Sequence, residues 1–181
     1  HINTTYAELT PRVSADGKTL YFIRADHPMN HKGALSSQDI WMGDVSNGIE
    51  HATALHLENP FNQKTNNSIV GISPDGTTMI IKGRFDNSGE YLGNGFSMIQ
   101  TPIDGWSTPK ELDVDNYAEM TKGDYVGGHW STDGKHLILS FSESSSDNKQ
   151  SIYESHLLAD GSWSKPVSLG SDVNVDGSGS H

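Results

Sequence analysis

Apolar residues in this chain come in short bursts separated by polar, glycine-containing turns. Leu20-Tyr21-Phe22-Ile23, Met79-Ile80-Ile81 and Leu137-Ile138-Leu139 are near-continuous apolar runs, each placed shortly after an Asp-Gly pair. Glycine supplies the positive φ that a tight hairpin requires, so Asp-Gly between apolar stretches predicts a β-hairpin. An apolar run without polar alternation predicts a strand covered on both faces. Third strands are predicted around Asp39-Ile40-Trp41-Met42, Phe96-Ser97-Met98-Ile99 and Ser151-Ile152-Tyr153. Fourth strands follow near residues 53–57, 110–112 and 166–169. Sustained helical periodicity is absent, and Gly, Pro or Asn-Asp clusters interrupt the chain at short intervals, as an all-β array requires.

The bursts belong to an internal repeat. Ser14-Ala15-Asp16-Gly17-Lys18-Thr19-Leu20 returns as Ser73-Pro74-Asp75-Gly76-Thr77-Thr78-Met79 and as Ser131-Thr132-Asp133-Gly134-Lys135-His136-Leu137, with the glycines 59 and then 58 residues apart. A second motif keeps the step: Asp104-Gly105-Trp106-Ser107-Thr108-Pro109 and Asp160-Gly161-Ser162-Trp163-Ser164-Lys165-Pro166 place their tryptophans 57 residues apart. Four-stranded antiparallel units covered on both faces and repeated along one chain predict β-propeller blades. The expected fold class is therefore all-β, a propeller of three four-stranded blades over 1–58, 59–113 and 114–174, with 175–181 as a tail or linker.

The Ser-x-Asp-Gly-Lys-x-Leu hairpin, the Asp-Ile-Trp strand and the Gly-x-Trp-Ser-x-Pro turn resemble the WD40-like propeller repeats of the Tol-system periplasmic propeller and of many bacterial envelope proteins. The lead-in Ile2-Asn3-Thr4-Thr5-Tyr6-Ala7-Glu8-Leu9-Thr10-Pro11 is similar to that family's linker between blades. The resemblance implies a periplasmic, outer-membrane-associated or extracellular setting and a binding or scaffolding role. The middle hairpin departs from it with Thr77 in place of Lys, and the first repeat has Asn47-Gly48-Ile49-Glu50 where the later two carry Trp-Ser.

Propellers close with four to eight blades, so three do not make a ring. Two open blade faces of about 500 Å² apolar area each, at roughly 25 cal/mol per Å², would leave on the order of 12 kcal/mol unburied on each face. Covered faces are thus expected: a homodimer forming a six-bladed ring, further blades of a longer parent chain, or open stacking into a filament.

Charge narrows the partners. With 12 Lys+Arg against 23 Asp+Glu the formal charge is −11, which disfavours nucleic acid and anionic membranes and favours a basic protein or peptide, or divalent cations. The chain has no Cys, which excludes a disulfide framework, a thiol nucleophile and Cys-ligated zinc. No apolar run is long enough for a transmembrane helix and no basic-then-apolar leader opens the chain, so the segment reads as soluble.

Candidate chemistry is sparse. Asp172-Val173-Asn174-Val175-Asp176-Gly177 matches the first half of a calcium loop, with Asp172, Asn174 and Asp176 as candidate metal ligands and calcium as the one possible cofactor. His27 and His31 sit beside Pro28 and Gly33 and read as loop residues, and His51 and His56 read as facing opposite sides of a strand start. Exposed loop histidines are the expectation for this group. Ser73 is the repeat serine rather than a nucleophile, and Asp16, Asp75 and Asp133 are expected to fix the turns. Trp41 and Trp130 read as core, and Trp106 and Trp163 as residues packed on a neighbouring blade. The variable loops 26–37, 85–95, 117–128 and 142–148 are the expected recognition segments. The sequence thus points to a non-catalytic, self-associating binding module, with a self-assembling structural protein or an accessory piece of a propeller hydrolase or lyase as alternatives.

Overall fold

The computed structural model describes residues 1–63, 65–100, 105–146 and 149–175. Their strands form three separate four-stranded sheets, each a simple up-and-down antiparallel meander. Blade 1 contains β1 (Glu8–Val13), β2 (Thr19–Ala25), β3 (Gln38–Asp44) and β4 (Ala54–His56). Blade 2 contains β5 (Ile69–Ile72), β6 (Thr78–Phe85), β7 (Tyr91–Gln100) and β8 (Lys110–Glu111). Blade 3 contains β9 (Gly127–Trp130), β10 (His136–Phe141), β11 (Ser151–His156) and β12 (Val167–Ser168). A single α-helical turn, α1 (Tyr117–Met120), leads into blade 3. The chain is all-β, three propeller-type blades stacked in sequence.

One turn chemistry builds all three first hairpins. The carboxylates of Asp16, Asp75 and Asp133 accept the hydroxyls of Ser14, Ser73 and Ser131 and the amides of Lys18, Thr77 and Lys135. Each serine oxygen in turn accepts an amide across the turn, from Thr19, Thr78 or His136, at 2.9 Å. The three glycines that close these turns all have φ of 73°, the left-handed conformation glycine adopts without steric cost. The repeat serines and aspartates are therefore turn residues, as their recurrence in the sequence predicts.

Two cores join the blades. Ile40, Leu57, Phe61, Ile69, Met79, Ile81, Phe85 and Ile99 fill the space between blades 1 and 2. Val70, Ile80, Phe96, Leu137, Leu139, Phe141 and Tyr153 fill that between blades 2 and 3, with Val114 and Tyr117 of the linker. Alternation along β6 explains the split, because Met79 and Ile81 face blade 1 while Ile80 faces blade 3. Trp163 is buried in the second core beside Trp130, and Trp106 lies edge-on to Phe61 in the first.

The inner strands approach closely at Gly71, where a Cβ would overlap the Cβ of Trp130 on β9. Gly71→Ala is expected to push blades 2 and 3 apart and to cost about 1–3 kcal/mol, read as a lowered denaturant midpoint with an unchanged slope.

The outer faces differ from the expectation of two bare apolar surfaces. On blade 1, Leu20, Phe22 and Trp41 are already 8%, 3% and 3% exposed in the single chain. They form a third core with Ile2 of the lead-in and Ala52 of the short 3-10 turn region. Arg24 lies over the Phe22 and Trp41 rings, 5.3 and 4.4 Å from their centroids, and is held there by Glu8 at 3.0 Å and the carbonyl of Ile2 at 2.7 Å. Arg24 stands seven residues after its turn glycine, where blade 3 has Phe141 buried against blade 2. The Arg24–Glu8 pair thus puts a polar cover on the outer face of blade 1.

Blade 3 is finished differently. Along β10, Leu137, Leu139 and Phe141 are buried, whereas His136 is exposed and Ile138 and Ser140 are half-buried. Facing them across β11, Ile152 and Glu154 are half-buried as well. The run Leu137-Ile138-Leu139 is therefore covered on one face, not two.

Candidate functional site

Two of the histidines depart from their sequence reading. His31 and His56 are not exposed loop residues: they converge on Asp39, whose side chain is fully buried on β3. The His56 side chain, at the end of β4, is 6% exposed and that of His31, on the loop between β2 and β3, is 22% exposed. His31 Nδ1 lies 3.0 Å and His56 Nε2 2.8 Å from the same oxygen, Asp39 Oδ2, which also accepts the His31 amide at 2.8 Å. Asp39 Oδ1 accepts Asn67 Nδ2 at 2.9 Å. Burial by itself would raise the Asp39 carboxyl. The His31 amide, the two imidazoles and the Asn67 amide outweigh it and hold the group below the usual carboxylate range.

Backbone geometry explains the convergence. His56 pairs with Trp41 across β3 and β4, two residues along from Asp39, so its ring reaches past Trp41 at 4.9 Å between centroids. The loop carrying His31 is tied down by Asn30, which donates to the Arg24 carbonyl and the Ser37 hydroxyl and accepts from Trp41 Nε1. Asn62 clamps the neighbouring strand by bonding both the amide and the carbonyl of Ile40. At the rim stands Glu58, with Oε2 3.7 Å from His31 Nε2 and Oε1 3.6 Å from His56 Nδ1. Each imidazole thus lies between a buried carboxylate and an exposed one. Among the described residues, His31, Asp39 and His56 are the group whose ligand atoms come close enough together to hold a metal ion, all within 4.8 Å.

A signal for this site was present in the repeat. The amides of Leu57, Leu112 and Leu169 bond the carbonyls of Ile40, Phe96 and Ile152, which sets the fourth and third strands of the blades in register. In that alignment His56 stands where the other blades have Glu111 and Ser168, and Asp39 where they have Gly95 and Ser151. Residues of one repeat that break its pattern with chemically capable side chains are site candidates.

At the candidate calcium loop, Asn174 ties the chain to blade 3. Asn174 Oδ1 accepts the Ile152 amide at 2.6 Å and Asn174 Nδ2 donates to the Ile152 carbonyl at 2.9 Å. This repeats the Asn62 clamp, again 22 residues from its target. The Asn174 oxygen is committed to the strand, and Asp172 is exposed. Asp176 lies outside the described residues.

The other surface of note is the free face of blade 3. Gly128, His129, Ile138, Leu139, Ser140, Gln150 and Ile152 line a shallow groove, and Val167 beside it is 65% exposed. His136 Nδ1 meets Glu154 Oε1 at 2.7 Å on the same face.

No family model matches the chain. No curated protein matches it either. Among solved structures, the β-propeller domain of the Trilobed protease from Pyrococcus furiosus, described as having an open velcro topology, is similar at 16% identity with a TM-score of 0.44. The similarity covers 90% of this chain, which spans 43% of that structure's length. Among the described residues, no helix is long and apolar enough to cross a membrane.

Proposed function

We propose that this chain is a non-catalytic binding and scaffolding module of the cell envelope, and that it associates with a second copy of itself through the free face of blade 3. The observation that carries the reading is the asymmetry of the two ends. Blade 1 is closed by its own Arg24, whereas Ile138 and Ile152 on blade 3 are only half-buried. Ile138 and Ile152 occupy the positions at which blade 2 uses Ile80 and Phe96 to seat the next blade. A two-fold pairing of blade 3 on blade 3 satisfies this face on both copies without requiring a ring. The resemblance of the repeats to Tol-system propellers supports the envelope setting, and the charge of −11 supports a basic protein or peptide as an additional partner. The engagement of Ser14, Ser73 and Ser131 in turns supports the absence of catalysis.

Light scattering or native mass spectrometry over a range of concentrations tests the association. A species of twice the 19.7 kDa chain is expected, and Ile138→Glu is expected to return it to the monomer. A monomer at every concentration, or a dimer indifferent to Ile138→Glu, overturns the reading.

A further inference from the structure

We infer that blade 1 holds a divalent transition-metal ion of the zinc type, bound by His31 Nδ1, His56 Nε2 and the carboxylate of Asp39. This metal role goes beyond the binding role proposed above and does not depend on it. Among the described residues, these three are the group whose ligand atoms all lie within 4.8 Å of one another. His31 Nδ1 stands 3.0 Å and His56 Nε2 2.8 Å from the same oxygen, Asp39 Oδ2. Ligand atoms held tetrahedrally at about 2.0–2.1 Å from one zinc ion lie about 3.3 Å apart, so each of these contacts opens by a few tenths of an ångström to admit the ion. The donor count at Asp39 Oδ2 favours that change. Three nitrogens crowd this oxygen, the His31 amide at 2.8 Å and the two rings. A carboxylate oxygen offers about two lone-pair sites, so three donors share two places. An ion between the rings replaces both ring contacts by one partner and leaves the second lone pair to the His31 amide. Whatever the charge of the rings beforehand, binding releases the protons that their facing nitrogens carry.

The residues around the three ligands support the same placement. Asp39 Oδ1 accepts Asn67 Nδ2 at 2.9 Å, which orients the carboxylate with Oδ2 toward the rings. Each ring turns its other nitrogen toward the exposed Glu58, His31 Nε2 at 3.7 Å and His56 Nδ1 at 3.6 Å. A metal-bound imidazole carries its N–H on that far nitrogen, and a carboxylate beside it fixes the ring and raises its basicity. Glu58 is thus a positioning residue for both rings and not a ligand. The partly exposed His31 ring marks the side from which the ion enters, because Asp39 has no exposed surface and His56 is nearly closed off. Blades 2 and 3 build the same strands with Gly95 and Glu111, or Ser151 and Ser168, at the positions of Asp39 and His56, so the sheet itself does not require this pair. Two imidazoles and one carboxylate suit zinc, iron(II) or cobalt(II) rather than calcium or magnesium, which take oxygen. Three protein ligands leave one tetrahedral position for water or for a group of a bound partner.

The test is titration of the metal-free chain with Zn²⁺ followed calorimetrically, and with Co²⁺ followed by visible absorption. One ion per chain is expected, with the intense d–d bands of tetrahedral cobalt, and zinc should raise the melting temperature. His31→Gln and Asp39→Asn, which each remove one ligand, should weaken binding at least a hundredfold and cancel that rise. Glu58→Gln should weaken it only about tenfold and keep the cobalt bands, since no ligand atom changes and the amide oxygen still accepts a ring N–H. His136→Gln, in the exposed His136–Glu154 pair, should leave binding unchanged. Circular dichroism of each metal-free variant establishes that the fold is retained, and the partly exposed His31→Gln decides if the buried Asp39→Asn does not fold. Absence of stoichiometric zinc binding overturns the proposal, as does binding that His31→Gln leaves intact. Full binding in a folded Asp39→Asn together with its loss in Glu58→Gln overturns the assignment of Asp39 as a ligand.

Discussion

Asp39→Ala is expected to lower the stability of the chain by about 3–5 kcal/mol, on the order of 10 °C in melting temperature. The substitution strands four donors at once: the His31 amide, the two imidazole N–H groups and the Asn67 amide. Each buried donor left without a partner costs about 1–3 kcal/mol, partly recovered where water reaches the His31 side. Asp39→Asn keeps a carbonyl acceptor in the same place and should lose roughly half as much. The same carboxylate sets an acid limb. Its folded-state pKa lies below its ordinary value near 3.9, so its contribution is fully present above about pH 4 and is lost as pH falls through the folded value. Denaturant unfolding at a series of pH values should show the wild type losing stability below about pH 4 more steeply than Asp39→Asn does. A melting temperature within a degree or two of wild type for Asp39→Ala would show that the network carries no load.

Glu8→Ala is expected to cost about 3–5 kcal/mol for a different reason, because it leaves the Arg24 guanidinium buried without its counter-charge. The Arg24 side chain is 4% exposed and Glu8 16%, and the Ile2 carbonyl remains as its other acceptor. Unfolding in denaturant measures the loss. Arg24→Phe combined with Glu8→Leu should separate the two roles of the pair. The double variant replaces a buried ion pair by apolar groups, a change that tends to be neutral or stabilising, so the chain stays folded. It also converts the sealed end of blade 1 into a face like the inner ones, where Phe141 occupies the position of Arg24. The double variant is therefore expected to associate at lower protein concentration than wild type, visible as a rising mass in light scattering. Unchanged mass would show that the Arg24 cover is not what keeps this end single.

Much of the architecture was legible because it is local and repeated. Each Ser-x-Asp-Gly turn is closed by its own serine, aspartate and glycine, and alternation along β6 assigns Met79 and Ile81 to one blade and Ile80 to the next. The site was less legible for the same reason in reverse. His31, Asp39, His56 and Glu58 come from the loop before β3, from β3, from the end of β4 and from the segment after it, and only the paired strands bring them together. Reading His31 as a loop residue was correct as to its place, but burial was set by the Asn30 contacts that fold that loop onto Trp41. The Asp172-Asn174 pattern is ambiguous in sequence because alternating oxygen side chains serve a strand clamp as well as a cation. Which role Asn174 takes depends on the Ile152 backbone lying within reach.

By itself, the sequence determined the blade: its turns, its four strands and the number of times it repeats, all of which follow from backbone preferences and hydrophobic period over a few residues. Only the tertiary structure decided how the outer faces of blades 1 and 3 are covered and where the chemistry lies. A bare apolar face and a face sealed by Arg24 differ by one side chain whose partners, Glu8 and the Ile2 carbonyl, are 16 and 22 residues away. The buried acid and its two histidines depend likewise on contacts that no local pattern encodes, because burial and hydrogen bonding are properties of the packed chain.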